Sequence, residues 1–154
     1  PCLQMIPNKK RKGVDVAVPE SKRGTGKFDV LIKANDLTVY TIRITKNPNT
    51  FAPEYQTALT DDIIRTAKDI YVKCWTANNI KVGEDAEKWK ERKRLQEEAA
   101  RDCNNLLALM QIAKTLFHLE TRRVKHWGKK TIEVRNRIRD WKDGDSRRYN
   151  KLLK

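Results

Sequence analysis

Cations spaced along a helix can neutralise successive phosphates of a polyanion, and the last thirty-four residues, Thr121 to Lys154, offer that chemistry. Thirteen Lys and Arg side chains stand there against four acids, a net +9 of the chain's formal +14. Arg122, Arg123, Lys125, Lys129, Lys130, Arg135, Arg139, Arg147 and Arg148 are the candidate phosphate contacts. Trp127, Thr131, Val134, Ile138 and Trp141 recur at helical spacing inside the same stretch. One face of such a helix packs on a core while the other presents its cations outward. A second basic run, Lys9-Lys10-Arg11-Lys12, is the candidate for a further, mobile clamp on the same nucleic acid.

Other residue types that could do chemistry do not converge. Asp61-Asp62 looks like a paired carboxylate, but neighbours on a helix point about 100° apart, and acids at a helix start are ordinary caps. Glu84-Asp85 with Glu87 reads the same way. Gly24-Thr25-Gly26-Lys27 hints at a phosphate loop, yet the first glycine that motif needs falls on Ser21. No Ser/His/Asp or Cys/His set presents itself, and His126 beside Trp127 reads as a surface or interface histidine. The expectation is a protein without enzymatic activity, cofactor or metal.

Cys2, Cys74 and Cys103 are odd in number, scattered, and without ligand-like spacing to His118 or His126. Cys74 and Cys103 fall on apolar stripes, as small buried thiols do, which points to a reducing, cytoplasmic compartment. No apolar stretch approaches a membrane span, and the short apolar start Cys2 to Ile6 precedes its charges, unlike a secretory signal. With a pI near 9.9, the expected partner is therefore nucleic acid rather than membrane.

These residues need elements to position them. Hydrophobic residues make up 38% of the chain and charged residues 35%, a lean composition that fits narrow helical seams or a protomer completing its core in an oligomer. Pro1 to Gly26 read as a basic arm that gains order by lying on a protein or a phosphate backbone, with Val14, Val16 and Val18 able to add one strand to a sheet edge. Lys27 to Lys46 alternates like a strand, but its stripe at Val30, Ala34, Leu37, Thr41 and Ile44, unbroken over twenty positions, favours a helix. A second helix carries Leu59, Ile63, Ala67, Ile70, Cys74 and Ala77, with Thr60-Asp61-Asp62 as its cap.

A third helix spans about 85–120, its seam running through Trp89, Gln96, Ala100, Cys103, Leu107, Met110 and Phe117 and widened by Leu95, Ala99, Leu106, Ala113 and Leu116. Its charged first half, Lys88, Lys90, Glu91, Arg92, Lys93 and Arg94, is expected to face solvent or a partner. The basic fourth helix spans about 123–142 and stops at Asp143-Gly144-Asp145. Trp127 and Trp141 read as core, whereas Trp75 and Trp89 read as partner-facing. The resulting fold class is all-α, an up-down four-helix bundle over 27–142, with the arm at 1–26 and a basic tail at 143–154.

The ordered set Phe28 … Lys33-Ala34 … Leu37 … Tyr40-Thr41, Asn47-Pro48, Phe51-Ala52-Pro53, Leu59-Thr60-Asp61 … Ala67-Lys68-Asp69-Ile70, Ala77-Asn78, Arg92 … Gln96 … Ala99 and Trp127 … Val134 … Ile138 … Trp141 resembles a known family. It is similar to the accessory variability determinant (Avd) proteins, four-helix bundles that partner reverse transcriptases in diversity-generating retroelements. The resemblance covers about 27–141 and implies a ring-shaped homo-pentamer that binds the reverse transcriptase and its template RNA or complementary DNA, supporting mutagenic reverse transcription. Five copies would carry roughly +70, a charge that calls for a polyanion. The arm and tail go beyond a minimal member of that family. Two other readings stand beside it: a DNA-binding regulator, and a structural bundle of the type encoded in ribosomal RNA intervening sequences.

Overall fold

A computed structural model describes residues 27–154, so the arm, its Lys9 to Lys12 clamp and the expected strand at Val14 to Val18 lie outside the described residues. Among the described residues there are four long helices and no strand: α1 (Lys27–Thr45), α2 (Asp61–Asn79), α3 (Ala86–Phe117) and α4 (Thr121–Tyr149). They form a four-helix bundle in which α1 packs on α2 and α4, and α3 packs on α2 and α4.

The helical stripes read from sequence become the core. Val30, Ala34 and Leu37 from α1 are buried with Ile63, Ala67, Ile70, Cys74 and Ala77 from α2. Ala99, Cys103, Leu106 and Met110 from α3 meet Trp127, Val134 and Ile138 from α4 in the same cluster. The strand-like alternation of α1 yields to helix because threonines on its buried side satisfy themselves within the bundle. Thr38 Oγ1 donates to Ala34 O at 2.9 Å and lies 3.0 Å from Ala67 O across the seam. Trp127 Nε1 donates to Thr41 Oγ1 at 3.0 Å, so this fully buried ring leaves no donor unpaired, whereas the buried Nε1 of Trp141 has no hydrogen-bond partner among the described residues. The connector closes that end of the bundle: Phe51 packs on Phe117 at 4.9 Å and edge-on to Trp127 at 6.3 Å between ring centroids.

Two helix ends differ from the sequence expectation. Thr60 does not cap α2: a 3-10 turn (Pro53–Tyr55) and a π-helical turn (Gln56–Thr60) already carry the backbone into α2, and Thr60 sits at φ −62°, ψ −39° with a buried hydroxyl lacking a hydrogen-bond partner. Asp61 instead accepts from Gln56 Nε2 at 2.7 Å and Asp62 from Arg65 Nη2 at 2.7 Å. By contrast Asp85 is a true cap of α3, its side chain accepting from the backbone N–H groups of Glu87 and Lys88. His118 ends α3 in the left-handed region at φ 52°, where its N–H reaches Lys114 O.

The second difference is the larger. α4 does not stop at Asp143-Gly144-Asp145 but continues to Tyr149 and a final 3-10 turn, Asn150–Leu153. Asp145 is only 5% exposed and points inward, where Arg92 Nη2 (2.6 Å), Arg92 Nε (2.8 Å) and Gln96 Nε2 (2.8 Å) all converge on its Oδ2. Trp89 then packs on Tyr149 at 5.5 Å and donates from Nε1 to Asn150 Oδ1 at 3.1 Å. A mid-helix glycine costs about 1 kcal/mol, which these contacts outweigh. Residues 143–154 are therefore not a tail. The same contacts correct two further expectations, for Arg92 and Trp89 are both buried rather than turned to solvent or a partner.

Candidate nucleic-acid interface

The interface has to be built on α4. At about 100° per residue its buried row, Val124, Trp127, Thr131, Val134, Ile138, Trp141 and Asp145, fixes where every other side chain points. Arg122, Lys125 and Lys129 form an exposed row facing away from the bundle. Arg123 and Lys130 turn toward the α1 side, where Arg123 Nη1 donates to Thr50 Oγ1 at 3.3 Å and the Lys130 ammonium lies 5.3 Å over the Tyr40 ring. Arg135 and Arg139 turn toward α3, and Arg135 Nη1 donates to Asn104 Oδ1 at 2.9 Å. Arg147 is exposed near the C-terminal end, and Arg148 stacks over Tyr149 at 5.7 Å.

The nine expected contacts thus share one helix but not one face. They lie in an outward row with a row on either flank. Acids separate the two ends: the stretch from Thr121 to Ile132 contains no carboxylate, whereas Glu133, Asp140 and Asp143 interrupt the exposed surface beyond it. The first half of α4, with Arg122, Arg123, Lys125, Lys129 and Lys130, is accordingly the denser patch.

Pairing with acids decides which cations remain available to a polyanion. Arg137 pairs with Asp29 at 3.4 Å and Lys142 with Glu97 at 3.9 Å, while Glu133 faces Lys33 at 4.0 Å. Among the described residues, none of the nine expected contacts lies within 4.0 Å of a carboxylate in an ion pair. Their charge is spent on neutral acceptors, aromatic faces and solvent. One local consequence is at Tyr40, whose phenol is pushed above its ordinary range by burial, against the smaller opposing pull of the Arg123 guanidinium.

Two cationic contributors come from α3. Arg101 shares a cleft with Arg139 and Lys142, and Lys114 stands across a groove from Lys125 and Lys129. Sequence reasoning missed them because each is a lone cation on a mixed-charge helix. The signal was there in the seam spacing of α3, which sets Lys114 beside Leu107 and Gln111.

The four tryptophans divide three to one. Trp89, Trp127 and Trp141 are buried, and Trp75 is 52% exposed on α2, next to Tyr71 at 6.1 Å and the exposed Val72. His126 meets Tyr40 edge-on at 5.5 Å. Cys74 and Cys103 are buried free thiols; burial, with the Asp102 charge second, pushes Cys103 up to about 12, and burial also raises Cys74. Among the described residues no group of three or more His, Cys, Asp or Glu side chains is placed to hold a metal ion, and no helix is long and apolar enough to cross a membrane. Compared with family models, curated proteins and solved structures, the chain matches none of them.

Proposed function

We propose that this protein is a non-enzymatic accessory subunit of a diversity-generating retroelement, binding reverse transcriptase and holding template RNA or complementary DNA through α4. The observation that carries the nucleic-acid reading is the acid-free first half of α4, where five cations stand without a carboxylate partner. Carboxylates would cancel such a patch if its purpose were fold stability, whereas phosphates replace them when it is a binding surface. Arg135 and Arg139 extend the path along α3, and Arg147 and Arg148 extend it toward the end of the chain. The retroelement assignment rests on the residue resemblance over about 27–141.

The reading includes an up-down course, supported by the pairings Thr38 with Ala67, Lys73 with Asp102, Asn104 with Arg135 and Thr41 with Trp127. It also includes assembly into a homo-pentamer. Ile32 on α1 and Val72 and Trp75 on α2 are each more than half exposed, an apolar surface on helices other than the basic one. Subunits meeting there would leave α4 outward, so that self-association and nucleic-acid binding use different faces.

Native mass measurement of the purified particle, together with its ratio of absorbance at 260 and 280 nm, tests both parts in one sample. A five-copy mass with a ratio far above that of the tryptophan-containing protein is the expected result. A nucleic-acid-free monomer would overturn the reading.

A further inference from the structure

Beside the basic patch lies a surface that phosphate binding does not need. α3 and α4 enclose a groove of about 640 Å³ whose floor is Leu107, Val124 and Gly128, with Ile132 at its edge. Gly128 keeps it open. A Cβ built on Gly128 would meet Leu107 Cδ2 at 3.8 Å, an ordinary contact, so the packing of the two helices does not demand glycine there. Glycine in a helix interior nevertheless costs about 1 kcal/mol relative to alanine, and what it preserves here is open space between the helices. Ile132 is 39% exposed at the groove's edge, an apolar side chain with no neighbour covering that part of it.

The rim is cationic. Lys114 rises from α3, and Lys125 and Lys129 from α4, none of them in an ion pair with a carboxylate among the described residues; Glu133 lies at one edge, already facing Lys33. From this geometry we infer that the α3–α4 groove is a docking site for an acidic amphipathic helix of a protein partner. Its apolar side chains, spaced i, i+3 or i+4 and i+7, enter the floor while Asp and Glu on its flanks meet the three lysines. A second copy of this chain is a poor occupant, because the apolar surface offered for self-association lies on α1 and α2, away from this lysine-rimmed groove. Nucleic acid is a poor one too: no aromatic ring lines the groove to stack a base, and an apolar floor gains nothing from a phosphate.

Such docking goes beyond nucleic-acid binding and is separable from it, since it needs the apolar floor as well as the lysines, whereas phosphate binding needs the cations alone. It also predicts rivalry, because Lys125 and Lys129 serve both ligands. The test is a displayed library of helical peptides panned against the full chain, followed by fluorescence anisotropy on the enriched sequences with wild type, Gly128→Leu and Ile132→Glu. Enriched peptides should share the apolar spacing with flanking acids. Gly128→Leu, which fills the groove without changing charge, should weaken them at least tenfold and leave RNA affinity unchanged. Ile132→Glu lies at the exposed edge and should weaken them too, which keeps the test decisive if the leucine variant fails to fold.

Enrichment without that pattern, or equal binding by both variants, overturns the proposal. So does loss of self-assembly in Gly128→Leu, which would make the groove a contact between copies. Groove-dependent binding to vesicles of phosphatidylcholine and phosphatidylglycerol, with no peptide enriched, would assign it to a membrane surface and overturn it as well.

Discussion

Asp145 illustrates what a single residue decides in this molecule. Its carboxylate is buried against Arg92 and Gln96, and Arg92 also lies 5.2 Å over the Trp141 ring and donates from Nη1 to Ile80 O at 3.2 Å. One side chain thereby ties α4 to α3 and, through Arg92, to the end of α2. Removing one partner strands the other charge in the interior, so Asp145→Ala should cost about 3–5 kcal/mol in urea unfolding and lower helical content at the C-terminal end. The paired change Arg92→Met with Asp145→Leu should recover most of that loss. The buried thiols make a second prediction at this scale. Cys103 is held at about 12 against an ordinary value of 9.0, so the unfolded chain loses that proton first. The sign follows: stability is intact below pH 9 and falls as pH rises toward 12, and Cys103→Ala should flatten the fall in denaturant melts. A residue like Asp145 is illegible in sequence, because an Asp-Gly-Asp run has the composition of a helix stop and its reversal depends on Arg92, fifty-three positions away.

At the scale of elements the stripes were legible and the ends were not. Val30-Ala34-Leu37 on α1, Ile63 to Ala77 on α2 and Trp127 to Trp141 on α4 could be read because helical period and burial coincide. Thr60 misled because capping depends on backbone angles, and the preceding π-helical turn had already set them. Trp89 and Arg92 misled because they sit among charges in the chain yet face the end of α4 in space. For α4 itself the outward face was legible, but its division into three rows was not, since that depends on where α1 and α3 flank it. Gly128→Ala should stabilise α4 by up to about 1 kcal/mol in thermal or urea melts, because the added methyl meets only Leu107 at contact distance.

At the scale of the whole molecule, charge is distributed by role. Acids are placed to neutralise Arg137, Lys142, Lys73 and Arg94, and they are missing from the first half of α4. Affinity for RNA should accordingly drop steeply with salt, by about 0.7 log units per tenfold increase for each single-strand phosphate contact. The most direct test of this account is RNA binding across a salt series by wild type and by the triple variant Arg122→Glu, Lys125→Glu, Lys129→Glu, with helical content monitored alongside. A large loss of affinity and a salt slope smaller by about 2, from three lost contacts, are expected at unchanged helicity. Equal affinity and equal slope in the two proteins would contradict it.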